Sequence, residues 1–464
     1  MLFNSLDYIL FFIVFTFIYF LVTAKFRWIL LLAASYFFYM CWKWEFVFLI
    51  IFSTLVDFYC GIKMSNAESF SKRKLFLFVS LITNIGVLFY FKYFDFFTAS
   101  INQFSGSNFQ PLNLILPMGI SFYTFQTMAY SIDIYKRKIN AETHLGKFAL
   151  YVSFFPQLVA GPIERADKLL PQFQFNNNKF KFENFISGTT QVLFGLYKKV
   201  VVADLIAIYV ESIYGTYELY TGFTLLFATY LFAIQIYCDF SGYTDIAIGS
   251  ARILGYDLME NFRTPYFSKS ITEFWRRWHI SLSSWLRDYL YINLGGNRKG
   301  RILTYRNLMI TMLLGGLWHG ASWNFVIWGF LHGLYLGLER LFKFPSYIDS
   351  KSTIAKLVSG VICFNLVCLA WIFFRAETLS KSIGIISRIF EIEFFLNLNI
   401  KDTNIFMSII FNIMIFLVLE KTIKNISKNK TTKSLKFSFI HAVLIILIVL
   451  FGVNEGSQFI YFQF

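Results

Sequence analysis

The chain has 464 residues and a mean hydropathy of +0.57; 57% of its residues are hydrophobic and 15% are charged. Soluble domains carry about 45–50% apolar and about 25% charged residues, so this composition excludes an ordinary soluble domain and indicates a membrane protein. The formal net charge of +15 does not indicate a nucleic-acid partner, because the basic clusters lie between apolar stretches, where the positive-inside rule expects them.

Uncharged apolar stretches occur along the whole chain. A helix needs about 17–25 residues to cross the hydrocarbon core, and six stretches meet this requirement: Tyr8–Ala24, Leu75–Phe91, Leu219–Cys238, Leu357–Phe374, Thr403–Leu419 and Phe437–Asn454. Asn307–Leu338 is too long for one crossing and contains Gly315, Gly316 and Gly320, which predicts a helix, a break and a second helix. With the weaker segments we expect roughly 11–13 membrane helices. Continuous rather than alternating apolar runs exclude a transmembrane β-barrel.

The basic clusters also predict an orientation. They are Lys72–Lys74, Lys136–Lys138 and the lysine-rich run Lys421–Lys436, whereas the segments before Lys25 and after Lys436 contain no basic residue. We therefore expect both termini outside the cell membrane and an even number of crossings. The first apolar stretch follows no basic segment, which predicts a retained helix rather than a cleaved signal.

The middle of the chain, about residues 116–338, holds most of the Pro, His, Arg and Gly motifs. Polar groups concentrated within a membrane usually line a cavity or a pathway. Pro156 and Pro162 interrupt an apolar segment beside Glu164 and Arg165, which predicts a broken backbone at membrane depth. We predict one integral membrane domain over residues 1–464 with its catalytic centre in this middle part.

The segment Asn261–Asn297 combines many charges with aromatic residues at helical spacing. This pattern predicts a helix that lies at the membrane surface or dips into it; the alternative is a surface helix without a function. The residues on its expected apolar face are Phe274, Trp278, Leu282, Trp285 and Tyr289.

The five cysteines show no CxxC spacing, so they predict small buried apolar side chains rather than disulfides or a metal site. They are Cys41, Cys60, Cys238, Cys363 and Cys368. G-x-S-x-G, HExxH and Walker lysine motifs are absent from the sequence, which removes support for hydrolase, metalloprotease and ATPase functions.

Two of the five histidines, His279 and His319, stand among other polar or flexible residues. Glycines flank His319 in Gly315–Asn324 and allow a ligand or another backbone to come close. Imidazole suits general-base catalysis because its ordinary pKa lies near working pH. His332 follows on the next apolar helix and is a candidate supporting residue. The residues alone favour the alternative, a structural or proton-relay histidine.

At these residues the sequence resembles the membrane-bound O-acyltransferase family, in the bacterial branch that contains alginate-type O-acetyltransferases. The order and spacing of five stretches carry the resemblance: Leu116–Gln126, Phe154–Arg165, Cys238–Phe262, Pro265–Gly296 and Leu313–Gly329. The resemblance implies an all-helical fold around a central funnel, with His319 at its narrowest point and His279 as the second histidine. An acyl group from a cytoplasmic donor would pass to an extracytoplasmic acceptor.

Carried over residue by residue, the resemblance implies that His319 is a general base or acyl-handling residue and that His279 assists it. Residues expected to bind donor or acceptor are Trp275, Arg276, Arg277, Trp318 and Asn324. We expect no metal and no bound cofactor, with acetyl-CoA or another cytoplasmic acyl donor as substrate. The expected partners are an extracytoplasmic SGNH-type acetyltransferase, a polysaccharide acceptor and membrane lipid.

Three alternatives remain at this point. The same family branch also contains teichoic-acid D-alanyl transferases, which differ in donor and acceptor. A transporter or channel with a His/Arg relay would also explain the polar centre. As a scaffold for a glycan-export complex, the protein would act through assembly alone, and His319 would have no chemical role.

Overall fold

The computed structural model describes residues 1–159, 161–174, 179–344, 352–391, 403–428, 434–453 and 459–460, and every regular element in these ranges is a helix. The chain divides into two compact units. The first comprises Met1–Thr189 and Ala247–Glu260, and the second comprises Thr190–Ile246 and Asn261–Phe464.

The first unit is built mainly from nine helices that precede residue 170. They are α1 (Leu6–Leu21), α2 (Arg27–Met40), α3 (Val47–Asn66), α4 (Phe70–Leu88), α5 (Phe94–Ser105), α6 (Ile120–Tyr135), α7 (Leu145–Ser153), α8 (Phe155–Leu158) and α9 (Ala166–Leu169). Helices α3, α4 and α6 pack against one another, and α7 packs on α2 and α3.

A buried polar network holds α3 and α4 together. The Asp57 carboxylate accepts hydrogen bonds from Ser80 Oγ at 2.6 Å and from Asn84 Nδ2 at 2.9 Å, and its side chain is fully buried. Ser80 also bonds to Ser131 of α6 at 2.8 Å. Since a buried carboxylate is costly unless it is hydrogen-bonded, this network fixes the register of the three helices.

The remaining helices follow residue 181. They are α10 (Phe182–Leu196), α11 (Asp204–Gly215), α12 (Gly222–Ile253), α13 (Ile271–Arg277), α14 (Ile280–Trp285), α15 (Arg301–His319), α16 (Trp323–Leu341), α17 (Thr353–Arg375), α18 (Leu379–Ile389), α19 (Thr403–Lys428) and α20 (Ser434–Phe451). Most belong to the second unit; the chain ranges of α10 and α12 each continue from one unit into the other. A π-helical turn, Tyr197–Ala203, joins α10 to α11.

Five helices are long and apolar enough to cross a membrane in the described part of the chain: Trp44–Asn66, Phe70–Ser105, Gly222–Ile253, Thr353–Arg375 and Thr403–Ile423. Two shorter apolar helices are Leu6–Leu21 and Phe437–Phe451. The protein is thus an all-helical, multi-pass membrane protein, as predicted. The count of 11–13 crossings, the funnel and the outside position of the termini stay predictions.

Several boundaries sharpen the sequence prediction. The break within Asn307–Leu338 is confirmed, because α15 ends at His319 and α16 begins at Trp323. The break around Pro156 is also confirmed, with one helical turn at Phe155–Leu158 and non-helical backbone from Pro162 to Arg165; Ala160 of this motif lies outside the described residues. Asn454 and the lysines between 429 and 433 also lie outside them.

The span expected at Leu219–Cys238 is confirmed with other bounds, since its helix begins at Gly222 and continues past Asp239 to Ile253. The carboxylates of Asp239 and Asp245 do not end it, because each forms an ion pair with a lysine. One cysteine prediction is wrong. Cys41 is exposed rather than buried, whereas the other four cysteines are buried.

The single amphipathic helix expected in Asn261–Asn297 is also wrong. Helix α13 ends at Arg277, and His279 has left-handed backbone with φ +42° before α14 starts at Ile280. The residues of the expected apolar face are nevertheless all buried. Those residues are Phe274, Trp278, Leu282, Trp285 and Tyr289.

Candidate active site around His319

Close helix packing positions His319. A Cβ atom on Gly316 would lie 2.2 Å from the carbonyl oxygen of Phe325, and one on Gly329 would lie 2.4 Å from that of Met312. Only glycine allows this approach, so α15 and α16 touch backbone to backbone. His319, the last residue of α15, is thereby brought against the first turns of α16.

Aromatic rings surround the His319 side chain, which is 3% exposed. Its imidazole meets the rings of Trp318, Trp328 and Phe374 edge to face, with centroids 5.1, 4.8 and 5.4 Å away. Edge-to-face contacts of this kind fix the orientation of a ring. The imidazole is therefore held in a low-dielectric setting in which it cannot turn freely.

The second predicted histidine also borders Trp318. The Trp318 ring centroid is 5.7 Å from that of His279 and 5.1 Å from that of His319. Residues 40 positions apart in sequence thus share one indole as a neighbour, as expected for two histidines of one site. We refer to His279, Trp318, His319, Trp328 and Phe374 as the His319 cluster.

The break at His279 is held by hydrogen bonds from the segment that precedes α13. The backbone of Asn261 accepts from Ile280 N at 2.9 Å, and Arg263 N donates to Arg277 O at 2.9 Å. Left-handed backbone is uncommon for residues with a Cβ and persists where surroundings impose it. These bonds replace the helical ladder that His279 interrupts.

Asn261 also fixes the tautomer of His279. Its Oδ1 atom lies 3.1 Å from Ser281 N, which can only donate, so the atom facing that site is the oxygen. His279 Nδ1 lies 3.1 Å from the same oxygen and must therefore carry a proton. In neutral His279, the ring nitrogen that can accept a hydrogen bond is therefore Nε2.

The other predicted binding residues have different surroundings. Asn324 Nδ2 donates to Ala376 O at 2.6 Å and ties the start of α16 to the end of α17. Trp275 lies 5.7 Å from Trp328, ring to ring, and so borders the His319 cluster. Arg276 is exposed, and Arg277 pairs with Glu273 within α13. Contact of any of these side chains with a substrate stays a prediction.

Helix α13 is anchored by a carboxylate of α16. Glu339 accepts hydrogen bonds from the backbone N–H groups of Ile271 and Thr272, and from Thr272 Oγ1 at 2.9 Å. These N–H groups belong to the first turn, which lacks partners within the helix and favours negative charge. The anchor holds Trp275 against α16.

Trp328 and Asn261 were not singled out by the sequence analysis. Trp328 lies four residues before His332 and Tyr335 lies three residues after it, so all three share one face of α16. This spacing from His332 could have pointed to Trp328. No local pattern marks Asn261, because its importance depends on a backbone break 18 residues later.

A second polar region in the same unit is a network of ion pairs. Lys199 Nζ lies 2.8 Å from Asp204 Oδ1 and 2.7 Å from Asp239 Oδ1, and all three side chains are almost fully buried. Lys198 pairs with Asp245 at 2.6 Å. Both lysines lie on the π-helical turn Tyr197–Ala203. The extra residue of this turn lets two consecutive side chains reach carboxylates of the same helix, α12.

A family model described as MBOAT, the membrane-bound O-acyltransferase family, matches residues 136–370, about half of the chain. A relative from Pseudomonas syringae pv. tomato, "Probable alginate O-acetylase AlgI", is 42% identical over 82% of this chain and 73% of its own. The chain belongs to the membrane-bound O-acyltransferase family.

Two further relatives of this O-acyltransferase carry other names. A peptidoglycan O-acetyltransferase from Helicobacter pylori is 37% identical over 77% of this chain and 72% of its own. A teichoic acid D-alanyltransferase from Bacillus subtilis is 28% identical over 58% of this chain and 70% of its own. The matched family region contains both histidines of the His319 cluster.

Proposed function

We propose that this O-acyltransferase is an O-acetyltransferase that passes acetyl groups across the membrane for O-acetylation of an extracellular or cell-wall polysaccharide. The donor is acetyl-CoA or another cytoplasmic acyl donor, and an extracytoplasmic SGNH-type protein is the partner. The observation that carries the proposal is the His319 cluster, which combines two histidines around one indole in a chain 42% identical to a protein named for O-acetylation.

The imidazole of His319 supplies the chemistry. It accepts the proton of the acceptor hydroxyl while the hydroxyl oxygen forms its bond to the acyl carbon. The proton then goes to the thiolate that leaves as the carbon–sulfur bond breaks. General base catalysis of this kind contributes about 10²–10⁴-fold in rate, and a fixed imidazole orientation favours it. His279, with Nδ1 held by Asn261, assists from its position beside Trp318.

D-Alanyl transfer is the second candidate. The D-alanyltransferase is 28% identical over 58% of the chain, whereas the alginate-type and peptidoglycan relatives reach 42% and 37% over about four fifths of it. The higher identity and coverage of the O-acetylation relatives favour acetyl transfer. Mild alkaline release of ester-bound groups from isolated polysaccharide separates the two: acetate supports the proposal, and D-alanine contradicts it.

The direct test compares polysaccharide acetylation in cells that carry wild type or His319→Ala at equal protein levels. We expect ester-bound acetate to fall at least about 100-fold in the variant. His441→Ala is the matched control, because His441 lies outside the cluster and bonds to Thr190 Oγ1 at 2.7 Å.

Undiminished acetylation in His319→Ala would remove His319 from the chemistry and would favour a scaffold or a relay. Equal losses in His319→Ala and His441→Ala would also contradict the proposal, because they would indicate a general effect on the fold. A wild type that releases no acetate would contradict acetyl transfer itself.

A further inference from the structure

Four rings form a second cluster beside His319. The imidazole of His332 lies 5.0 Å from the ring of Trp275, 4.7 Å from that of Trp328 and 5.9 Å from that of Tyr335. Trp328 also borders His319 at 4.8 Å. We call Trp275, Trp328, His332 and Tyr335 the His332 cluster.

This cluster concentrates buried polar atoms that lack partners. Within the described residues, no hydrogen-bond partner exists for Trp275 Nε1, Trp328 Nε1, Tyr335 Oη or either ring nitrogen of His332. His332 and Trp328 are completely buried. Buried polar groups are almost always hydrogen-bonded, because an unmade bond forfeits their hydration. Five such atoms on four touching rings therefore indicate a hydrogen-bonding partner outside the described residues.

The chemistry of the rings defines that partner. Indole N–H groups only donate, a phenol can donate, and a neutral imidazole has one donor and one acceptor. The common complement is an oxygen that accepts hydrogen bonds. No carboxylate, lysine or arginine belongs to the cluster, so the rings suit a neutral carbonyl better than a phosphate or a carboxylate. An internal water molecule offers the same oxygen chemistry.

We propose that the His332 cluster is a buried hydrogen-bonding site that receives carbonyl oxygen atoms of the acyl donor beside His319, an inference that rests on the proposed acyl transfer. The shared Trp328 ring places the site next to the catalytic imidazole. The donor binds there through Trp275, Trp328, His332 and Tyr335, while His319 handles the proton.

The test measures binding separately from turnover. Purified protein in detergent is heated with and without acetyl-CoA, since a ligand that binds the folded state raises the unfolding temperature. The variants are His332→Phe, which replaces the polar imidazole by an apolar ring, and Tyr335→Phe, which keeps the ring and removes only the hydroxyl. His441→Phe is the matched control because it breaks a hydrogen bond that is made.

Without ligand, Tyr335→Phe should unfold at or above the wild-type temperature, because it removes a hydroxyl without a partner, and His441→Phe should unfold below it. Acetyl-CoA should stabilise wild type and His441→Phe. His332→Phe should bind it about tenfold more weakly, as expected for one lost hydrogen bond, and Tyr335→Phe should bind it more weakly to a smaller extent.

Three results would overturn the inference: full stabilisation of both cluster variants by acetyl-CoA, no stabilisation of wild type, or unfolding of Tyr335→Phe below wild type without ligand. If the cluster variants bound acetyl-CoA as tightly as wild type but turned over more slowly, the oxygen at this site would be that of a water molecule. That result would overturn donor binding. Failure of the proposed function would instead appear as undiminished acetyl transfer by His319→Ala.

Discussion

Two polar regions of the second unit differ in how their buried groups are satisfied. In the ion-pair network, Lys198 and Lys199 each have a carboxylate within 2.8 Å. In the His332 cluster, the ring nitrogens of His332 and the hydroxyl of Tyr335 have no partner among the described residues. Both regions contain fully buried side chains, such as Lys199 and His332, so burial alone does not distinguish them.

The difference separates structure from function. In the ion-pair network each buried charge has an opposite charge beside it, which stabilises the helix arrangement. Groups that are buried without partners destabilise the fold, so they persist where a substrate needs them. We therefore expect the network around Lys199 to act in folding, which contrasts with the role in transfer proposed for the clusters around His319 and His332.

The largest effect on stability should come from Lys199→Met. Removal of the lysine leaves the carboxylates of Asp204 and Asp239 buried without their cation, at a cost of about 3–5 kcal/mol. The unfolding temperature in detergent and the amount of protein in membranes should both fall sharply. Lys381→Met is the control, since its pair with Glu377 has the same 2.7 Å spacing but is exposed and contributes about 1 kcal/mol or less. Equal effects in the two variants would break the comparison.

Gly316→Ala should affect both fold and transfer. The new methyl group would meet the carbonyl of Phe325, so α15 and α16 must separate at a cost of about 1–3 kcal/mol. His319 then loses its contact with Trp328, and acetyl transfer per folded molecule should fall. Gly337→Ala adds a methyl group whose nearest neighbour is 3.7 Å away, and it should keep wild-type activity. Full activity in Gly316→Ala would show that the helix contact does not position His319.

The smallest effect should come from Asn324→Ala. It removes the hydrogen bond to Ala376 O and should lower the free energy of unfolding by about 1 kcal/mol. If Asn324 only joins α16 to α17, the acetyl-transfer rate per folded molecule should stay near wild type. A large loss of rate with unchanged stability would instead assign Asn324 to the substrate, as the sequence resemblance implies.

The sequence predicted most of the features that depend on composition and local pattern. Long apolar runs predicted the membrane helices, and Gly315, Gly316 and Gly320 predicted the break that ends α15 at His319. Shared motifs predicted that His279 and His319 act in one site, and the structure places both beside Trp318.

Features that depend on tertiary contacts could not be predicted. Aromatic periodicity favoured one helix through His279, but backbone bonds to Asn261 and Arg263 hold a left-handed residue there. Asp239 looked like the end of a span because its lysine partner lies 40 residues earlier. The lack of hydrogen-bond partners around His332 depends on how α13 and α16 pack together, which the sequence does not show.

The most direct test of the account is the acetyl-transfer rate of purified His319→Gln, measured beside its unfolding temperature. The account predicts an unfolding temperature equal to that of wild type and a rate lower by about 10²–10⁴-fold. A variant that keeps its rate, or that loses rate only in proportion to lost folded protein, would contradict the assignment of His319 to catalysis.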